Sequence, residues 1–130
     1  MSVWGIGAYF DKDVSDEFIA NNHAGIGWAK NDAPALYEMV KKIQRGDLIY
    51  IKSLSQTKKQ LHIKAVGIVK DLKMEKDYPI VVSWKKLDNK IVEITPEMYR
   101  NNVFNNALYE ELNVEIIDYV IEQILAFEEQ

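Results

Sequence analysis

Two tryptophans in this 130-residue chain stand beside Gly-Ile-Gly runs: Trp4 in Val3-Trp4-Gly5-Ile6-Gly7-Ala8 and Trp28 in Ala24-Gly25-Ile26-Gly27-Trp28-Ala29. Glycine weakens the interior of a strand and commonly marks a place where a ligand or another backbone comes close. An indole next to such a gap offers a flat face. The pair therefore reads either as core residues of a small sheet or as two walls of a pocket for something planar. Trp84 lies in a third apolar stretch, and Tyr9, Phe10, Tyr50, Tyr99, Phe104 and Tyr109 fall near strand ends or in loops. Indoles from several strands of one small barrel can converge at its mouth. Pockets that hold an extruded base use such faces for stacking, with hydrogen bonds to the base edge.

Residues for covalent or acid–base chemistry are sparse. His23 and His62 have no ligand partner nearby in sequence; His62 reads as an exposed strand residue and His23 as the end of a short helix, where it can meet terminal carbonyls. Ser53 and Ser83 stand near strand ends without a nucleophile-elbow pattern. The Gly-Ile-Gly runs lack the third glycine of a dinucleotide fingerprint, and Asp11, Asp13, Asp16 and Glu17 match no ordered calcium loop. The chain has no cysteine, which removes disulfides and zinc-thiolate sites. The expectation is a non-enzymatic protein with no catalytic residue, metal or cofactor.

Charge is unevenly distributed within a net −4. Residues 1–65 carry nine Lys/Arg against seven Asp/Glu, and residues 66–130 carry seven against thirteen. Between Lys41 and Lys64 seven bases face only Asp47, whereas Glu110–Glu129 holds seven acids and no base. A general polyanion binder is normally basic overall, so tight non-specific duplex binding is not expected. The expectation is instead a local basic lip of Lys52, Lys58, Lys59 and Lys64 beside a pocket. No apolar run reaches membrane-spanning length and no signal-peptide pattern opens the chain, so the expected setting is cytoplasmic, without membrane contact.

These residues need elements to position them. Met1–Phe10 reads as a strand, and Ser15 caps a short helix, Asp16–Asn22, with Val14 as a staple. Ala24–Trp28 is a second strand. Asp32 followed by Pro34 starts a helix running to about Gln44, with Leu36, Met39, Val40 and Ile43 on one face and Gly46 at its end. Asp47–Ser53 and Leu61–Lys70 form a hairpin around a polar, basic loop. Pro79–Lys86 is a strand, Leu87–Lys90 a turn, Ile91–Ile94 a last strand, and Thr95-Pro96 opens a short helix. Asn113 caps a final helix, Val114–Glu128, whose stripe is Ile116, Ile117, Val120, Ile121, Ile124 and Leu125. This predicts one α+β domain over residues 1–130: a small, mostly antiparallel barrel of five to six strands flanked by helices.

The order of helix, Arg45-Gly46-Asp47, apolar strand Leu48–Ser53, hairpin to Ala65-Val66-Gly67-Ile68-Val69, then Val81-Val82-Ser83-Trp84-Lys85-Lys86-Leu87 resembles the PUA-like superfamily. Within it the EVE, YTH and ASCH domains and the modified-DNA-reading modules of restriction enzymes are most similar, and Asn102-Val103-Phe104 with Leu108-Tyr109-Glu110 resembles the closing segment of the latter. The resemblance covers residues 3–125. It implies an aromatic cage for a modified or flipped base, with Trp28 as one wall, Trp4-Gly5 as the other, Ser53 as a polar contact, and Trp84 at a position often merely core. Asn101, Asn102 and Asn105 would offer amide groups to a base edge. Restriction readers accompany a nuclease or motor domain, which these residues do not include. Three readings follow: a reader of a modified base in DNA or RNA; a binding or sequestering protein for a free nucleotide or cyclic nucleotide signal; and a protein-interaction module whose last helix takes a partner or forms a homo-oligomer.

Overall fold

The computed structural model describes residues 1–10, 12–27, 31–55, 60–93 and 107–128. Among these residues six strands, β1 (Val3–Gly7), β2 (His23–Ala24), β3 (Leu48–Ser55), β4 (Gln60–Leu72), β5 (Ile80–Glu93) and β6 (Leu108–Glu110), are joined by helix α1 (Ser15–Asn21) after β1 and α2 (Pro34–Val40) after β2, and α3 (Val114–Glu128) follows β6. They form one curled sheet in the order β2-β5-β4-β3-β1-β6. All pairings are antiparallel except β1 with β3, which share a register of Trp4 opposite Ile49 and Ile6 opposite Ile51. A parallel pair needs a long crossover, and the segment holding α1, β2 and α2 supplies it.

Helices cover both faces of the sheet, and the strand sequences show it. Val3-Trp4-Gly5-Ile6 and Leu48-Ile49-Tyr50-Ile51 are buried at every position, as central strands with two covered faces must be. One face packs Trp4, Ile6, Ile49, Ile51, Val82 and Trp84 against Phe18 of α1 and Tyr37 and Val40 of α2. The other packs Val3, Leu48, Tyr50, Val66 and Tyr109 against Ile116, Val120 and Ile124 of α3. Asn113 caps α3 as expected, its Oδ1 accepting the Ile116 amide at 3.2 Å.

A break in register decides which residues join which face. Lys64 is in register with no residue on either neighbouring strand: β3 runs from Ile51 opposite Ala65 to Lys52 opposite Ile63, and β5 from Lys86 opposite Ala65 to Lys90 opposite Ile63. A bulge of this kind shifts the alternation by one. Leu61 and Ile63 therefore join the α3 face, while Ala65 and Val69 join the other. The same bulge corrects the expected turn at Leu87–Lys90: β5 is one 14-residue strand, and the turn-like residues 87–89 are the excess opposite Lys64. Local composition is the same for a turn and a wide bulge; only the β4 partner distinguishes them.

The helix starts are also corrected. Neither Ser15 nor Asp32 serves as N-cap; Val14 and Ala33 occupy those positions without side-chain cap bonds. Asp13 holds the α1 entrance instead, accepting the Ser15 amide at 2.9 Å and its hydroxyl at 2.5 Å. Helix α2 gives way before Gln44 to tighter bonds, Lys42 to Met39 and Ile43 to Val40. The Thr95-Pro96 helix lies outside the described residues.

Gly67 shows how closely β4 and β5 approach the core. A Cβ there would lie 2.5 Å from Val82 Cγ1, 2.8 Å from Trp84 Cε3 and 2.9 Å from the Ser83 carbonyl oxygen. Gly67→Ala is expected to cost about 1–3 kcal/mol by overpacking, read as a lower urea midpoint.

Candidate functional site

The glycine gaps beside the indoles are real, but the chain fills them with its own rings. A Cβ on Gly5 would meet the Tyr109 ring at 2.5 Å, one on Gly25 the Tyr78 ring at 3.0 Å, and one on Gly27 the Phe10 ring at 2.6 Å. Trp4 is 3% exposed and donates its indole N–H to Asp47 Oδ2 at 3.0 Å; Trp84 is 7% exposed and donates to the His23 carbonyl at 3.0 Å. Trp4, Gly5 and Trp84 are thus buried core residues. Trp28, Asn101, Asn102, Asn105, Lys58 and Lys59 lie outside the described residues.

Ser53, Lys52 and Lys64 come together, at a different place. Two adjoining cavities of about 440 and 310 Å³ open where the register of β3 and β4 breaks. Both are bounded by Asp13, Ser15, Ser53 and Lys64. His62, Lys86 and Leu87 extend the larger one along β4 and β5, and Gly7, Tyr9 and Lys52 extend the smaller one to the end of β1. These volumes fall within the range of small-molecule sites, about 300–1,000 Å³. The bulge has a local consequence here, since such insertions re-aim side chains and often border functional sites.

The entrance to α1 is tied to the sheet by ion pairs across this cleft. Lys64 Nζ pairs with Asp13 Oδ2, and Lys86 Nζ with Asp16 Oδ1 at 3.1 Å. Partial burial pushes the Asp13 carboxyl up, but the Lys64 ammonium and the Ser15 hydroxyl and amide outweigh it and hold it down at about 2. Tyr9, 73% exposed, stands on the rim with its ring in solvent.

Lys52 joins the cleft to a buried polar cluster. Its ammonium lies 4.6 Å from the centre of the Tyr109 ring. The Tyr109 and Tyr50 hydroxyls are 2.5 Å apart, and Tyr50 donates to Glu111 Oε1 at 2.6 Å. The other Glu111 oxygen accepts the Leu112 and Asn113 amides, each at 3.1 Å, immediately before α3. Burial lowers the Lys52 amine to about 8, with the Glu111 carboxylate drawing it partly back. Burial pushes both tyrosine hydroxyls well above their usual value.

His23 opens β2 rather than ending the preceding helix. Its ring stacks on Tyr78 with centroids 4.3 Å apart, and Phe18 meets it edge-on. Nε2 is buried with no hydrogen-bond partner among the described residues. Burial lowers its pKa, partly offset by the Glu17 carboxylate. The unfolded chain therefore takes up this proton near pH 6.5 while the native state resists it, so stability falls as pH drops below about 6.5. His23→Phe is expected to flatten that decline between pH 7 and pH 5 in urea titrations.

Sequence reasoning named Lys52, Ser53 and Lys64 but missed Asp13, Ser15, Lys86 and the rim position of Tyr9. Tyr9 was legible as an aromatic near a strand end. The others carry no local signal, because the bulge that gathers them is a property of strand pairing. Among the described residues no group of three His, Asp or Glu side chains is arranged to hold a metal ion. No described helix is long and apolar enough to cross a membrane. No protein-family model and no curated protein matches this chain.

Proposed function

We propose that this protein is a non-enzymatic binding module for a nucleotide unit, presented as an unpaired or modified base of a nucleic acid. The observation that carries the reading is the convergence of an exposed ring, Tyr9, with Lys52, Ser53 and Lys64 around one cavity. In this reading the base stacks on Tyr9, the Ser53 hydroxyl meets its edge, and the lysines take the phosphate, with Lys64 exchanging its Asp13 partner for the ligand. The resemblance to PUA-like base readers supports the same class of ligand, and a half-barrel bordered by helices is compatible with that fold. The stacking wall differs from the one the resemblance implied, since Trp4 is in the core.

Titration with methylated and unmethylated single strands tests this. Stacking is worth about 1–3 kcal/mol per base, so Tyr9→Ala should weaken binding by about 5- to 150-fold. Trp28→Ala, measured in parallel, reports whether the indole contributes a second wall. Equal, negligible binding of every oligonucleotide would exclude the proposal. A free nucleotide is the second reading, favoured by the net charge of −4 and the acid-rich α3. Thermal-shift screening separates it: a nucleotide present at a hundred times its dissociation constant adds about 2.7 kcal/mol.

A further inference from the structure

We infer that the ligand is a single-stranded polynucleotide whose backbone continues from this cleft into a second basic cavity between β5 and α3. The inference rests on the nucleotide-binding reading and extends it from one unit to a strand. The second cavity, about 340 Å³, is lined by Lys85, Lys90, Tyr119 and Gln123 and shares Lys86 and Leu87 with the first. The shared residues make the two a continuous path over the β5 bulge.

Three features of that path suit a strand. Lys90 is held over the Tyr119 ring at 5.3 Å from its centre, so its ammonium is positioned by an aromatic face that leaves its charge available to a phosphate. Five lysines (52, 64, 85, 86 and 90) face three aspartates (13, 16 and 88) around the three cavities, a local excess of two positive charges on a chain of net −4. Lys86 and Lys90 are separated by at most about 13 Å along the strand at 3.3 Å per residue, which spans at most about four stacking steps of 3.4 Å. Gln123 brings both a donor and an acceptor for a base edge. A duplex would present its charge on two strands and bury its edges, whereas a narrow path past one rim aromatic suits a single strand.

The test is fluorescence anisotropy with labelled ribo- and deoxy-oligonucleotides of one, two, four and eight residues, against wild type and the double variant Lys85→Gln/Lys90→Gln, at one half-buried and one exposed position. Affinity is expected to rise at least tenfold from one residue to four and then level. The double variant should remove that rise, leave mononucleotide binding unchanged, and reduce the slope of log K against log salt by about 1.4, near 0.7 for each phosphate no longer neutralised. Mononucleotide binding with no length dependence, or a double variant with wild-type behaviour, would overturn the second cavity while leaving the first site standing. Absence of binding at every length would remove both. Unchanged circular dichroism and melting of the double variant verify that it is folded.

Discussion

Asp47→Asn is expected to lower stability by about 2–4 kcal/mol, one of the two largest effects anticipated for this protein. The Asp47 carboxylate is 5% exposed and accepts three bonds: from the Gln44 amide at 2.9 Å, the Trp4 indole N–H at 3.0 Å and the Ser2 amide at 3.1 Å. Hydrogen bonds to a charged group contribute about 1.5–3 kcal/mol each and are not additive. An asparagine keeps one acceptor oxygen and turns an NH₂ donor toward groups that are themselves donors. Burial pushes the Asp47 carboxyl up, but the Trp4 indole, the two amides and the N-terminal ammonium outweigh it and hold its pKa below 3.8. The unfolded chain is protonated near 3.8 while the native state stays ionised, so this contribution is complete above that pH and is lost as pH falls through the lower native value. Urea unfolding at pH 7 should separate the variant from wild type, and the separation should narrow toward pH 3. Matching midpoints at pH 7 would show that the three bonds contribute nothing net.

Lys52→Met is expected to act in two directions: to stabilise the fold and, on the proposed nucleotide-binding reading, to abolish binding. The amine is 8% exposed, and its fall from 10.5 to about 8 sets a ceiling of about 3 kcal/mol on the cost of holding the charge there. Methionine keeps the aliphatic packing on Tyr109 but loses the cation–ring attraction, worth about 1 kcal/mol. A net gain of about 1–2 kcal/mol at pH 7 follows. The same amine sets a pH dependence at the alkaline end. Between about pH 8 and 10.5 the native amine is neutral while the unfolded one still carries a proton, so wild-type stability rises with pH in that window and the variant's does not. Stability retained at a cost to the native state is characteristic of residues kept for function. A variant that both melts lower and binds normally would remove Lys52 from the site.

The glycine next to Asp47 shows how a motif can be legible while its purpose is not. Gly46 has φ +88°, a left-handed turn that lets the chain reverse between Gln44 and β3, and the carboxylate that follows is aimed back at Trp4. Gly-Asp and Trp-Gly were recognisable separately. Their being partners required residues 43 positions apart to meet where β3 begins beside the parallel β1.

Periodicity and capping alone determined much of this protein. The final helix from Val114 to Glu128 with its Asn113 cap, the β3–β4 hairpin and the α+β class all follow from apolar spacing and local backbone preference, which act over a few residues. Tertiary structure alone decided what fills the space beside Gly5, Gly25 and Gly27, and that β5 continues through residues 87–89. It also decided that Tyr9, Lys52, Ser53, Lys64 and Lys86 share a cleft. Each depends on which strand lies alongside which and at what register. A one-residue bulge at Lys64 moves the side chains from Ala65 to Val69 of β4 to the opposite face, and short-range sequence preferences carry no record of that shift.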